Sequence, residues 1–206
     1  MAAQMVPTKG NLLAAKKSLE LSRTGFELLD RKRNILIREM TSLIDRASSI
    51  QDRIDATYAQ AYKALQMANI SLGICQELSR TVPVENNLNV AFRSVMGVEI
   101  PMVSLAEQDV PVPYGLSATN SMLDKAYAQF NEVKRLTAEL AEVENSVYRL
   151  ADAIKKTQKR ANALKNIMIP RFEETVKFIT DALEEKDREE FSRLKVIKSQ
   201  KNAKSS

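Results

Sequence analysis

Carboxylates and cationic side chains are the groups of this 206-residue chain that could do chemistry, because it contains no histidine and one cysteine. The missing histidines remove the commonest general base and metal ligand. A single cysteine excludes thiolate metal clusters and internal disulfides. The five glycines form no GxxxxGK loop that could hold a phosphate. Acidic pairs and basic clusters are the candidates that remain.

Three pairs of adjacent glutamates are the acidic candidates: Glu173-Glu174, Glu184-Glu185 and Glu189-Glu190. Each pair lies in a stretch with helical periodicity, where neighbouring side chains point about 100° apart. Adjacent carboxylates on a helix are poorly placed to share one substrate, and we interpret the pairs as solvated faces. The sequence therefore predicts no catalytic residue, no cofactor-binding residue, no metal ligand and no cofactor.

Two clusters of basic residues are the stronger candidates, as a surface for a partner. Antiparallel helices would bring the clusters into one zone. Three interpretations stay open: solubility of an exposed coiled coil, contact with an acidic protein collar, or nucleic acid. Aromatic residues do not interleave with the clusters, and five basic residues from Arg193 onward account for the whole net charge of +5, which argues against nucleic acid. The candidate collar contacts are Arg31, Lys32, Arg33, Lys155, Lys156, Lys159 and Arg160.

Both halves of the chain carry an apolar stripe that recurs at alternating steps of three and four residues. The first stripe runs from Leu12 to Cys75, and the second runs from Ala126 through Phe178 to Ala182. A mean step of 3.5 keeps each seam facing a partner helix and produces a left-handed supercoil. The predicted fold is all-α: a long antiparallel two-helix left-handed coiled coil with a short β-hairpin in the connector at one end.

The prolines and glycines set the predicted boundaries. Thr8 can cap the first helix, and Pro83 ends it near residue 80. Two β-rich runs around Gly97 predict a hairpin, and Pro170 predicts a kink near Asn166. We expect an N-terminal coiled-coil helix in 1–80, a connector in 81–117, a C-terminal coiled-coil helix in 118–195 and a flexible basic tail in 196–206.

An additional apolar row flanks the first seam in the half nearer the connector. A seam two residues wide does not bury this row. Either a third helix docks there, or some of these residues widen the seam. The candidate partner-subunit contacts are Tyr58, Tyr62, Leu65 and Leu72. No secretory signal and no stretch long enough to span a membrane is expected, so the sequence predicts a cytoplasmic protein without direct membrane insertion.

Five segments along the whole chain together resemble the D subunit of V-type and archaeal-type ATP synthases. Two of them lie near the N-terminus and three towards the C-terminus, in the order of that family's two signatures. The segments are Val6-Pro-Thr-Lys-Gly-Asn-Leu-Leu13, Thr24-Gly-Phe-Glu-Leu-Leu-Asp-Arg-Lys-Arg33, Lys159-Arg-Ala-Asn-Ala-Leu-Lys-Asn-Ile-Met-Ile-Pro170, Phe172-Glu-Glu-Thr-Val-Lys-Phe-Ile179 and Glu189-Glu-Phe-Ser-Arg-Leu-Lys195.

The resemblance implies a central rotor shaft with no catalytic role of its own. In that family the termini insert into the ring of catalytic A and B subunits, the connector end faces the rotor-ring adaptor subunit, and the small F subunit binds alongside. The shaft carries torque between the catalytic ring and the membrane rotor, on the cytoplasmic side and peripheral to the membrane. The coupling ion, H⁺ or Na⁺, stays open. The alternatives are a prefoldin-like coiled-coil chaperone and a structural coiled-coil adaptor.

Overall fold

The computed structural model describes residues 6–105, 113–115 and 119–204. Residues 106–112 and 116–118 around the end of the predicted connector, and 205–206 of the predicted tail, lie outside the described residues. The fold class is the predicted one: a long antiparallel helix pair with a short β-hairpin. The elements are α1 (Lys9–Leu72), α2 (Gln76–Ser79), β1 (Leu88–Val95), β2 (Val98–Leu105), α3 (Ser121–Ala163), a π-helical segment (Leu164–Met168) and α4 (Ile169–Lys204).

Capping groups fix where the long helices begin. The N–H of Asn11 donates to Oγ1 of Thr8, 3.2 Å away, which confirms Thr8 as the cap of α1. At the start of α3, the N–H of Leu123 donates to Oδ1 of Asn120 at 3.0 Å. The helix begins at Ser121, and Asn120 is the residue that caps it.

The first helix is shorter than predicted at its C-terminal end. It ends at Leu72, because Gly73 adopts a left-handed conformation with φ of 81°. The single turn α2 follows, so Cys75 lies between two helices instead of on the seam. The predicted end near residue 80 was wrong because glycine at this position stops a helix before Pro83 can.

The chain divides into two compact units. The first contains Met1–Arg33 and Lys156–Ser206, and the second contains Asn34–Lys155. In the first unit, Leu164 lies 3.6 Å from where a Cβ on Gly25 would stand, and Lys165 lies over the ring of Phe26. Arg23 pairs with Glu173 at 2.6 Å. These contacts hold the N-terminal helix segment against the C-terminal one.

The second unit contains the larger apolar core. Its fully buried side chains come from both long helices and from the hairpin, and Val95 and Val98 pack against them. A smaller cluster near the connector holds Ala68, Tyr114 and Leu123. The buried members of the larger core are Leu36, Leu43, Ile50, Ile54, Ile100, Leu136, Val143 and Leu150.

The register of the helices in this second unit differs from the prediction. We expected Ile54 to face Val143 and Val147, but Arg53, its neighbour, reaches Glu132 at 3.9 Å. The true partners of this stretch therefore lie about one heptad or more before the predicted ones. The prediction placed residue 75 on α1, and the early end of α1 at Leu72 together with the start of α3 at Ser121 sets a different pairing.

The hairpin lies against the helices of the second unit. β1 and β2 pair antiparallel, with Val95 opposite Val98 and Phe92 opposite Pro101. Met96 and Gly97 form the turn, both at positive φ (51° and 77°). Ile100 is buried in the core, which anchors β2. A two-stranded hairpin alone is marginally stable in water, so this one depends on its packing against the helices.

A π-helical segment precedes Pro170 and displaces the seam. The N–H of Ile169 donates to the carbonyl of Leu164, five residues earlier, so this turn holds one extra residue. The irregularity predicted near Asn166 is present in this form. Beyond it the buried position is Ile179, fully buried, while Phe178 is 51% exposed. Placing Phe178 on the seam was therefore wrong, because the strict heptad count ignored the extra residue.

The last helix also extends further than predicted. It runs to Lys204, past the expected start of a flexible tail at residue 196. Every residue from Glu184 to Gln200 is exposed, so the described part of the chain packs nothing against this stretch. The division of the chain at residues 80, 117 and 195 stays a prediction, but the helices begin and end at other residues.

Candidate interaction surfaces

The basic residues of α1 divide into exposed and tethered side chains. The side chain of Arg31 is 76% exposed, and its nearest carboxylate, that of Glu27, lies 4.0 Å away. The side chain of Arg33 is only 24% exposed. It pairs with Asp30 at 2.6 Å and donates to Oε1 of Gln158 at 2.8 Å. Arg33 therefore joins two helices within the first unit, while Arg31 projects from it.

The second basic cluster lies on α3. Lys155, Lys156, Lys159 and Arg160 are exposed, whereas Thr157 in their midst is buried. Lys155 is the last residue of the second unit, and the other three belong to the first. Lys32 on α1 is half-buried. Among the predicted collar contacts of the first unit, Arg31, Lys156, Lys159 and Arg160 are thus exposed to a partner.

The predicted partner flank contains an aromatic contact chain. The rings of Tyr58 and Tyr62 stack with centroids 5.9 Å apart, and Tyr62 meets Phe130 edge-on at 5.5 Å. Tyr58 packs on the core, while Tyr62 stays 55% exposed. Phe130 was not among the predicted contacts, because the predicted register set it opposite the small residues Ala61 and Ala64. The signal that could have found Phe130 is its aromatic side chain, which suits a contact with the two tyrosines.

The other two predicted contacts lie apart from this chain. Leu65 is half-buried and lines an apolar cavity of about 410 Å³ together with Phe130. Leu72 is exposed at the last position of α1. The structure therefore brings together Tyr58 and Tyr62, connects Leu65 to them through Phe130, and leaves Leu72 at the connector end.

Tyr114 closes part of that cavity through a buried phenol. Its hydroxyl donates to Oδ1 of Asp124 at 2.8 Å, and its ring meets Tyr127 edge-on. Burial, and then the hydrogen bond to Asp124 and that carboxylate's charge, raise the pKa of Tyr114 to about 12. The phenol therefore stays neutral at physiological pH and acts as a hydrogen-bond donor that ties residues 113–115 to α3.

An ion pair lies at the rim of the same cavity. Nζ of Lys134 lies 2.8 Å from Oε2 of Glu85, which joins the segment before β1 to α3. The hydrogen bond from Lys134 is the main cause that lowers the pKa of Glu85. Because both side chains are partly exposed, the pair contributes little to stability. Its role is to position the connector.

The apolar surface of the first unit, meaning its large exposed apolar side chains, was missed by sequence reasoning. Leu13, Leu21 and Leu28 project from α1 with more than half of their surface exposed, and Ile167 and Phe178 do so from the other helix. The signal was the seven-residue spacing of Leu21 and Leu28 outside the predicted seam. A monomer rarely leaves so many large apolar residues uncovered, so this surface indicates a partner.

Metal sites and membrane spans are both absent from the described residues. Among residues 6–105, 113–115 and 119–204, no cluster of carboxylate or thiol side chains could hold a metal ion. In the same ranges, no helix combines the length and the apolar character that crossing a membrane requires.

Comparison with known proteins gives one consistent answer. The family model for the D subunit of ATP synthase matches residues 11–199. The D subunit of the V-type ATP synthase of Thermotoga neapolitana is 44% identical over 196 residues, which cover 94% of this chain and 97% of that one. The A-type counterpart of Methanobrevibacter smithii is 36% identical, covering 94% and 86%. That of Thermococcus kodakarensis is 37% identical, covering 93% and 92%. These matches do not favour the chaperone or the structural adaptor.

Proposed function

The chain belongs to the family of ATP synthase D subunits, and from this membership we propose how it works as the central stalk of a V/A-type rotary enzyme. The proposal is that it transmits torque between a catalytic hexamer of A and B subunits and the membrane ion rotor. The observation that carries it is a helix pair that buries an apolar core in the second unit and is tied across by an ion pair in each unit.

The cross-helix contacts suit a part that must resist twisting. Arg23 with Glu173 in the first unit, and Arg46 with Glu139 in the second, join the two helices outside the seam. Each exposed pair contributes only about 0–1 kcal/mol to stability, so the apolar seam supplies most of the cohesion. The pairs instead oppose sliding of one helix along the other, which is the motion that would dissipate torque.

The chain has no catalytic role in this proposal. ATP is bound and hydrolysed, or synthesised, on the A and B subunits, and the sequence offers neither histidine nor a phosphate-binding loop for that chemistry. The protein would work on the cytoplasmic side, peripheral to the membrane. Its partners would be the A and B subunits, the small F subunit and the rotor-ring adaptor, with no part for nucleic acid.

The surfaces can be assigned to these partners as hypotheses. The exposed basic residues Arg31, Lys159 and Arg160, with the apolar surface of the first unit, would meet the catalytic collar. The aromatic chain at Tyr62 and Phe130 would meet the small F subunit. Exposed charges suit a rotating contact, because weak pairs form and break without locking the shaft.

Reconstitution with the catalytic subunits tests the proposal. The purified chain, mixed with A, B and F subunits of the same enzyme, should co-elute with them as one complex and raise ATP turnover above that of A and B alone. The isolated chain should show no turnover. Failure to co-elute with the A and B subunits, or turnover that purifies with the isolated chain, would contradict the proposal.

A second experiment tests the F-subunit assignment. Tyr62→Glu introduces a charge on the exposed aromatic contact and should weaken binding of the F subunit at least about tenfold, since one buried charge at an interface costs more than about 1.4 kcal/mol. Tyr148→Glu, at another highly exposed tyrosine of the second unit, is the matched control. Equal affinities of the two variants would place the F subunit elsewhere.

A further inference from the structure

Strand β1 is an edge strand that the described part of the chain leaves bare. It pairs with β2 alone, and seven of its eight residues are exposed. Proteins usually protect such an edge with proline, charge, a bulge or a covering element. β1 contains no proline or glycine, and its one charged residue, Arg93, is paired with Glu39 at 3.2 Å. A bare apolar edge of this length is a template for another strand.

The turn determines which backbone groups of β1 face outward. In a two-residue turn with both φ values positive, the closing residues, here Val95 and Val98, form a hydrogen-bonded pair. Bonded and non-bonded pairs then alternate along the ladder. The N–H groups of Val90, Phe92 and Ser94 therefore point away from β2. On β2 the outward positions are the residues opposite them.

Side chains of α3 bond to the outward backbone groups of β2, in contrast to those of β1. The guanidinium of Arg149 donates to the carbonyl of Glu99 at 3.2 Å, and the N–H of Val103 donates to Oε2 of Glu142 at 2.6 Å. Pro101, between them, has no N–H to satisfy and is buried. Within the ranges that the structure describes, no residue makes an equivalent bond to the outward groups of β1.

One face of β1 carries apolar side chains next to this backbone edge. Leu88, Val90 and Phe92 alternate onto the same face, each about half exposed. The guanidinium of Arg149 lies 5.3 Å from the centre of the Phe92 ring. Among the described residues no carboxylate lies within ion-pair distance of Arg149. The face therefore offers an apolar row with one cation that lacks an acidic partner.

We propose that β1 is the docking edge for an extended strand of another subunit of the complex, which adds as a third strand of this sheet. Its apolar side chains would cover Leu88, Val90 and Phe92, and a carboxylate would meet Arg149. β1 itself contains no acidic residue, so a second copy of this strand could not supply that carboxylate. Charge complementarity therefore favours a different subunit. The inference rests on the proposed function.

Hydrogen exchange at single amides tests the proposal directly. The full chain is compared alone and in the complex reconstituted with the A, B, F and adaptor subunits of the same enzyme. The outward amides of Val90, Phe92 and Ser94 should exchange at least about tenfold more slowly in the complex, because strand addition bonds them. The inward amide of Ala91 is the internal control, protected in both. Equal exchange of the outward amides in both samples overturns the inference.

A proline substitution tests the same edge by removing one outward donor. Val90→Pro deletes an N–H that the ladder does not use, as Pro101 already does on β2, and Val90→Thr keeps it as the control. We expect Val90→Pro to weaken assembly at least about tenfold and Val90→Thr to leave it unchanged. Arg149→Gln should also weaken assembly and lower its salt dependence. Unchanged assembly in Val90→Pro and Arg149→Gln contradicts the proposal.

The outcomes separate this inference from the proposed function. A chain that binds none of the ATP synthase subunits refutes the function, and the inference with it. A chain that assembles while its outward β1 amides stay unprotected refutes the inference alone. Protection that rises with the concentration of the isolated chain would show a second copy on the edge and would also refute it. If Val90→Pro unfolds the hairpin, exchange in the parent protein still decides.

Discussion

At the scale of single residues, Gly25 is a glycine that lowers helix stability although no close contact requires it. A Cβ there would lie 3.6 Å from Cδ1 of Leu164, an ordinary van der Waals distance. Gly25→Ala should therefore stabilise the protein by about 0.5–1 kcal/mol, because alanine loses less backbone freedom in a helix. Thermal unfolding followed by circular dichroism measures this. Gly25→Leu, which must displace Leu164, is the contrasting variant, and a destabilised Gly25→Ala would contradict the expectation.

Tyr114 gives a residue-scale prediction about pH. The pKa of this phenol is raised from 10.0 to about 12, first by burial and then by Asp124. Below pH 10 the phenol is neutral in the folded and unfolded states alike. Between pH 10 and 12 the unfolded state releases its proton while the folded state keeps it. The stability that depends on Tyr114 is thus complete below pH 10 and is lost as pH rises through about 12.

Ultraviolet titration measures this difference. Subtracting the tyrosinate signal of Tyr114→Phe from that of the parent isolates the one phenol, and its midpoint should lie near pH 12. The variant should also lose less stability than the parent between pH 10 and 12. A difference titration with a midpoint near 10 would show that the phenol is not buried against Asp124.

At the scale of elements, the π-helical segment determines whether Ile179 or Phe178 is buried. A strict heptad count gives the opposite answer. Ile179 is fully buried after the extra residue, and Phe178 is half exposed. Ile179→Ala should destabilise the first unit by about 2–4 kcal/mol through lost burial and a cavity. Phe178→Ala should cost less than about 1 kcal/mol. Urea unfolding measures the loss of unfolding free energy in each variant. A larger loss for Phe178→Ala would support the strict heptad count.

The hairpin turn supplies the second element-scale prediction. Met96 holds a positive φ of 51°, which costs a side-chain-bearing residue about 1 kcal/mol or more. Met96→Asn keeps the turn and suits that conformation better, so it should slow hydrogen exchange of the inward β1 amides. Met102→Asn, on a strand where φ is not positive, is the control. Faster exchange in Met96→Asn would show that the methionine side chain, rather than its backbone, stabilises the turn.

The sequence allowed prediction of those elements whose signals are local. Thr8 as a cap, the turn at Gly97 and the seam residues Leu36 and Leu43 each follow from a few neighbours. The helix end at Gly73 and the burial of Ile179 do not. Glycine tolerates both helix and left-handed geometry, and phenylalanine and isoleucine at 178 and 179 fit either register equally well. Contacts between residues far apart in the sequence determine the conformation at Gly73 and the burial of Ile179, and a local sequence pattern does not predict such contacts.

The candidate sites show the same division. Exposed charges such as Lys159 and Arg160 were predictable as surface residues, because a helical stripe assigns them to the outer face. The tethering of Arg33 by Asp30 and Gln158 was not, since it depends on a contact across the helix pair. The edge of β1 was also missed, because sequence could not show that α3 seals only the other strand.

At the scale of the whole molecule, the proposed shaft must turn against its collar without being held by it. Arg31, Lys159 and Arg160 are exposed, whereas Arg33 is tied within the first unit. Neutralising the three exposed residues to glutamine should leave the unfolding free energy of the chain nearly unchanged. In the assembled enzyme it should lower ATP turnover by up to about tenfold, because three weak pairs of about 0.5 kcal/mol each sum to that scale.

Arg33→Gln is the matched control for this prediction, because it should lower the stability of the chain and leave the turnover of the assembled enzyme nearly unchanged. It removes one charge, breaks the contacts with Asp30 and Gln158, and should lower the stability of the isolated chain by about 1–2 kcal/mol. Its assembled enzyme should keep nearly the parent's turnover at temperatures where the chain is folded. The comparison therefore distinguishes a rotating electrostatic contact from a merely soluble surface. Parent-like turnover in the triple variant would leave the exposed apolar residues Leu21 and Leu28 as the collar contact.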